Sequence, residues 1–317
     1  MFPRITNATP HDELCFYDLP PLLGLPEIDE VHVSVTFTYD RAVAEFLAEQ
    51  WRYVGVPVKV GGPAYDDPGG AFIPGRYVRK GLFESSRGCD NNCWFCSVPK
   101  REGKLRELEV TEGWNVLDNN ILGCSECHIR KVFEMLKTQP HRPIFTGGLE
   151  AKLLKPWHVE LLRSVKPERM YFAYDTPDDY EPLVEAGRLL WNGGFTISSH
   201  VASCYVLIGY KGDTFEKAEK RIRDTIKAGF VPYAMLYKDK AGTEDKEWRK
   251  FQRLNLNPTI VCSRLKELSS IQQDIPSQPN PPYMSGGGNH QAPLTKSTES
   301  EVHAYETPLK TDGLAGP

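Results

Sequence analysis

From residue 97 onward the 317-residue chain repeats one pattern, a short apolar run followed by an amphipathic stretch, and this rhythm restricts its fold more than any other feature. The runs 115–122, 142–147, 169–175, 203–210 and 230–237 have the length and composition of buried strands, and 81–86 precedes them as a sixth. Helical spacing fills the gaps. Ile129, Val132, Phe133 and Leu136 share one face of a helix over 126–138, behind Ser125 as cap. A second helix, 156–165, opens on Pro156. A third covers 178–191. The fourth, 214–228, begins Asp213-x-x-Glu216 in the manner of a capping box and stops before Gly229. Strands alternating with helices predict an α/β chain with a parallel sheet. The segment 100–114 is short for the helix that would complete the first unit.

Ahead of this repeat, residues 31–37 alternate apolar and polar as a half-buried strand does, with His32 on its polar face. Asp40 is placed to cap a helix whose apolar face would be Val43, Phe46, Leu47, Trp51 and Val54. A second strand, Val56–Val60, ends in Gly61-Gly62-Pro63. This small βαβ unit looks like part of a doubly wound nucleotide-type domain. The chain therefore divides into the βαβ unit at 1–78, a larger strand–helix domain at 79–240, a helical extension at 241–274 and a tail at 275–317. In the extension, Trp248, Phe251 and Leu254 give a packing stripe to a helix over 245–256. Its Lys246, Arg249, Lys250 and Arg253 make a basic, solvated face. The tail holds seven prolines and the run Ser285-Gly286-Gly287-Gly288, and is predicted to be disordered.

A net charge of −4 does not indicate a nucleic-acid partner. No apolar run approaches a membrane span, and Met1 to Glu13 carry no basic-then-apolar signal. The eight cysteines are clustered rather than spread as a disulfide framework, so a reducing cytoplasm is expected. Cys89, Cys93 and Cys96 place three soft thiolates on one tight loop. That donor set suits an iron–sulfur cluster, which four cysteines normally hold, and leaves one iron open to an outside ligand. A zinc site with His128 or His200 as fourth ligand is the alternative, in a non-catalytic metal-binding interaction module. Cys124-Ser125-Glu126-Cys127-His128 matches a haem-attachment pattern, which requires an exported chain. Cys204 is expected in the core.

With Phe95 directly before its last cysteine, the loop resembles the signature of the radical S-adenosylmethionine (radical SAM) enzymes. The resemblance covers roughly residues 80–240. It implies a [4Fe-4S] cluster on Cys89, Cys93 and Cys96, with S-adenosyl-L-methionine (SAM) chelated at the open iron and cleaved to methionine and a 5′-deoxyadenosyl radical. That radical would abstract hydrogen from a substrate. The resemblance also implies a low-potential electron donor of the flavodoxin or ferredoxin type, and a partial (βα)6 TIM-like barrel, with which the six strands agree. Chemistry in βα barrels collects at the C-terminal strand ends. There, Gly147-Gly148-Leu149-Glu150 looks like the Gly-Gly-Glu motif that holds the methionine ammonium, with one residue inserted. By strand count, Asp118, Asn119 and Asn120 are the alternative for that task. Asp175 stands where the family has its ribose-binding polar residue. Ile208 and Gly209 echo the segment beside adenine, and Phe95 offers backbone contacts to the same base. A carboxylate suits both an ammonium and a diol.

Read without the resemblance, Gly147-Gly148 is a strand-ending turn, and Asp118 or Asp175 a helix cap. The N-terminal unit weakly resembles the last portion of a cobalamin-binding domain but lacks Asp-x-His-x-x-Gly, the motif that supplies the cobalt-ligating histidine. Cobalamin-dependent methyl transfer is thus a third reading. No substrate and no catalytic acid or base is legible.

Overall fold

Strand β1 (Val31–Ser34) and strand β2 (Val58–Gly61) pair in parallel, Val31 opposite Val58, with helix α1 (Arg41–Arg52) as the crossover. These coordinates are a computed structural model that describes residues 1–67 and 70–272; the tail read above at 275–317 lies outside the described residues. The unit has its own core, in which Ala44, Leu47, Ala48 and Trp51 of α1 meet Val31, Val33 and Val35. The face of α1 differs from expectation, since Val43 and Phe46 are 47% and 57% exposed. Residues 44, 47, 48 and 51 form the tighter helical stripe, and two alanines leave room for the fully buried Trp51. Asp40 stands before α1, but its carboxylate does not cap the helix. It accepts both Arg4 Nε and Nη2, at 2.7 and 2.6 Å.

The larger part begins with β3 (Leu82–Phe83), β4 (Ser86–Arg87), helix α2 (Val98–Glu102) and β5 (Arg106–Glu107). The strand expected over 81–86 is therefore split. Leu82–Phe83 enters the main sheet, whereas β4 and β5 form an antiparallel ribbon where a full helix would otherwise sit. There follow β6 (Asn115–Val116), α3 (Glu126–Lys137), β7 (Ile144–Phe145), α4 (Pro156–Val165), β8 (Arg169–Ala173), α5 (Tyr180–Asn192), β9 (Ala202–Ile208), α6 (Phe215–Lys227) and β10 (Val231–Leu236). Helices α7 (Lys246–Leu256) and α8 (Pro258–Gln272) complete the described chain. Ser125 caps α3 by accepting His128 N. Thr214, rather than Asp213, caps α6 through Lys217 N. The Asp213 side chain is buried and accepts Arg221 Nη2 at 2.7 Å and Gly209 N at 2.9 Å.

Six strands form one sheet in the order β10-β9-β8-β7-β6-β3, and every pairing is parallel. The order never reverses, so crossovers of one hand carry the helices to one face. Strand β9 shows the division. Val206 and Ile208 pack on Ala218 and Ile222 of α6, with Trp248 and Phe251 of α7 beside them, while Leu254 is exposed. Tyr205 joins Tyr171, Tyr233 and Met235 on the other face. Cys204 is fully buried in the main core. Among the described residues, no helix is long and apolar enough to cross a membrane.

Candidate functional site

The helix-free face of the sheet and the C-terminal strand ends open into a cavity of about 1110 Å³, closed on its far side by β1, β2 and the segment after them. Ligand clefts commonly measure about 300–1,000 Å³, so this one has room for a cofactor and a second molecule. The cysteine loop forms one wall. Gly88 (φ +80°) turns the chain into it, and a Cβ there would lie 2.2 Å from the Lys104 carbonyl oxygen. Cys89 N donates to the Gly103 carbonyl at 3.2 Å and Cys96 N to that of Cys93 at 3.0 Å, so the ribbon and its own turn hold the loop.

Cys89, Cys93 and Cys96 all line the cavity. Asn91 N and Asn120 Nδ2 lie 3.4 and 3.9 Å from Cys89 Sγ, placed to stabilise negative charge on sulfur. Cys93 is exposed at the cavity mouth, yet partial desolvation by the surrounding walls pushes its thiol up to about 11, with the neighbouring Cys96, Asp175 and Cys89 adding to the effect. Ionising the three together is costly unless a cation shares the site. Among the described residues, no three His, Cys, Asp or Glu side chains converge so as to hold a single metal ion. His128 lies behind the loop, its Nε2 3.1 Å from Ser85 Oγ and its Nδ1 3.7 Å from Glu107. His200 precedes β9, at the opposite end of the sheet. The zinc set is thus not brought together. A cluster spreads its thiolates over separate irons, so they need not meet at one point. Three thiols on one cavity wall, with N–H groups directed at one of them, fit that group.

Asp118 is almost fully buried and does not line the cavity. Its carboxylate accepts Ser85 N at 2.7 Å, Ser85 Oγ at 2.6 Å and Ser86 Oγ at 2.7 Å. Burial pushes this carboxyl up, and the serine hydrogen bonds draw it back. These bonds anchor the chain entering the cysteine loop, and the carboxylate caps no helix. Asn119 and Asn120 do reach the cavity. Asn119 Nδ2 donates to Glu102 at 2.8 Å and Asn120 Nδ2 to Glu150 at 2.6 Å. The two alternative motifs are therefore brought together, with Asn120 bonded to Glu150 and Gly147 and Gly148 lining the same cavity. Asn120 Oδ1 is buried without a hydrogen-bond partner among the described residues, an acceptor suited to a ligand donor.

Asp175 and Phe95 also line the cavity, and Asp175 Oδ1 accepts Leu207 N at 3.1 Å, tying β8 to β9. Ile208 and Gly209 do not line it. Ile208 packs toward α6, and Gly209 abuts Trp248. Leu207 faces the cavity instead. Period-two alternation along β9 carries that information, since Tyr205 and Leu207 must share the face that Ile208 leaves.

Sequence reasoning missed a charged wall made by Glu84, Arg87, Arg101 and Glu102. Arg101 Nη2 meets Glu102 Oε1 at 2.6 Å, and Glu102 Oε2 accepts Gly88 N at 3.1 Å. Glu84 faces Arg87 Nε at 2.7 Å. Burial still pushes its carboxyl from 4.5 to about 7; Arg87 opposes the shift, while Glu102 and Asp118 reinforce it. Between pH 4.5 and about 7 the folded chain therefore holds this proton more tightly than the unfolded chain. The stability it contributes is present at low pH and lost as pH rises through about 7, at most on the order of 3 kcal/mol. Glu84→Gln should flatten the denaturant midpoint across this window and raise it above wild type at alkaline pH. A slope unchanged by the substitution would contradict the assignment.

The fold and site define an α/β protein with a cysteine-lined cavity at the strand ends of a six-stranded parallel sheet. No protein-family model matches the chain, and no curated protein is significantly similar to it.

Proposed function

We propose that the chain is a radical SAM enzyme acting in a reducing cytoplasm with a low-potential donor of the flavodoxin or ferredoxin type. One observation carries this reading. The three signature cysteines and Phe95, on the loop after β4, line the same cavity as Asn119, Asn120, Gly147, Gly148, Glu150 and Asp175, which follow the neighbouring parallel strands β6, β7 and β8. The sequential strand order with one-sided helices supports a partial (βα)6 barrel over about 79–240. If bound there, a [4Fe-4S] cluster with SAM would supply one-electron radical chemistry.

The protein's own part is to hold and orient. Cys89, Cys93 and Cys96 retain the cluster. The Glu150 carboxylate and the unpartnered Asn120 Oδ1 receive the methionine ammonium. Asp175, held by Leu207 N, would serve the ribose hydroxyls, and Phe95 with Leu207 would offer apolar surface to the purine. Asp118 keeps the loop at the strand end through Ser85 and Ser86. The N-terminal unit lines the side of the cavity opposite the sheet.

The cobalamin reading gains no support from His32. That residue is on the cavity wall, but Tyr77 and Glu30 occupy its two ring nitrogens. Anaerobic reconstitution tests the proposal. The chain should take up about four iron atoms, with visible absorption that reduction bleaches. One zinc per chain and no retained iron would overturn it.

A further inference from the structure

The cavity wall contributed by the N-terminal unit carries a constellation that cofactor binding does not use. Tyr77 Oη lies 2.5 Å from His32 Nδ1, and His32 Nε2 lies 2.7 Å from Glu30 Oε1. The two rings stack with centroids 5.9 Å apart and planes 20° from parallel. His32 and Tyr77 both line the cavity. Lys59 Nζ bonds Glu30, and Arg76 Nη2 lies 3.9 Å from it. The Lys59 hydrogen bond first, and His32 second, hold the Glu30 carboxyl below the usual range. A carboxylate at Nε2 requires the hydrogen there, which leaves Nδ1 as acceptor and Tyr77 as donor. Arg76 lies over the Tyr77 ring at 5.3 Å, where its charge favours negative charge on the phenol oxygen. A hydroxyl against a base, with the base oriented by a carboxylate, is the general arrangement of an activated oxygen.

We infer that Tyr77, His32 and Glu30 form a proton relay that serves as general base toward a hydroxyl-bearing polar substrate in this cavity. The substrate O–H bond breaks and its proton passes to the Tyr77 oxygen. The proton of Tyr77 moves to His32 Nδ1, leaving a substrate oxyanion and an imidazolium opposed by Glu30. One proton is transferred and no electron changes hands. The charged groups facing the relay are Glu30, Lys59 and Arg76. Reprotonation of product runs the same steps in reverse. The relay extends the proposed function, but its geometry depends on neither cluster nor SAM.

A structural pin between β1 and the segment around residue 77 would use the same contacts without activating the tyrosine, and reactivity separates the two. The test is O-acetylation of the full chain by N-acetylimidazole, without cluster or SAM, resolved by site with mass spectrometry. Exposure alone favours Tyr53, which is 81% exposed against 45% for Tyr77. The relay predicts the opposite order, with Tyr77 faster by about tenfold or more. His32→Gln should bring Tyr77 to the Tyr53 rate or below. Glu30→Gln, at a more exposed position, should lower the Tyr77 rate severalfold. A wild-type Tyr77 no faster than Tyr53, or a fast Tyr77 indifferent to His32→Gln, would overturn the inference. Fast Tyr77 in a chain that retains no iron would keep the relay and remove the radical SAM reading.

Discussion

Cys93→Ala is expected to reduce iron in the reconstituted protein from about four atoms per chain to near zero. Cys93 is exposed on the cavity wall beside Cys89 and Cys96. Three thiolates are already one short of the usual four, so loss of another leaves two irons without protein ligands. Cys127→Ala is the matched control. That residue is also exposed, but it sits on α3 and does not line the cavity. It should retain wild-type iron. The expectation fails if Cys93→Ala keeps its iron, or if Cys127→Ala loses as much.

Gly147→Ala should destabilise the fold by about 3 kcal/mol or more, which lowers the melting temperature by on the order of 10 °C. Its Cβ would stand 2.1 Å from the Asp118 carbonyl oxygen and 2.5 Å from the Leu117 carbonyl carbon. Both are backbone atoms and cannot swing aside as a side chain can. Gly147 N also donates to the Val116 carbonyl at 2.9 Å, so moving this residue pulls β7 away from β6. The site should suffer with the fold, because Asn120 and Glu150 meet across the same junction. Gly194→Ala supplies the comparison. Gly194 has φ +88° with open space around it, so only the left-handed backbone penalty of about 1–2 kcal/mol applies. Thermal melts that show equal losses at both positions would contradict the packing argument.

Local pattern was most informative where burial was complete or sharply one-sided. Strand β9 is buried at every residue and was recognisable as an apolar run, and α4 matched its expected bounds through Pro156. The ladders Asn115–Val116 and Ile144–Phe145 are shorter than the runs 115–122 and 142–147, because the chain leaves the sheet for strand-end loops that hydrophobicity does not mark. Hydrophobicity alone points Val43 and Phe46 inward, whereas Ala44 and Ala48 complete the periodic stripe that packs with Trp51. Asp213 resembled a cap because nothing in the sequence shows that Arg221 will claim it.

The site divided along the same line. Cys89, Cys93 and Cys96 were legible because a loop carries its ligands at short spacing. Asp118 was identified as polar and strand-terminal, but its burial beneath Ser85 and Ser86 arises only when β3 and β6 pair. His32 was read as a plain strand residue. Its partner Tyr77 lies 45 positions away, and no short-range pattern joins them. Glu84 and Glu102 gave no signal either, since their importance comes from the cavity they line.

The most direct measurement of the central claim is the yield of 5′-deoxyadenosine when the anaerobically reconstituted chain is given SAM and a strong reductant. Equimolar 5′-deoxyadenosine and methionine are expected, formed only when SAM and reductant are both present. A chain fully loaded with iron that releases neither product would contradict it.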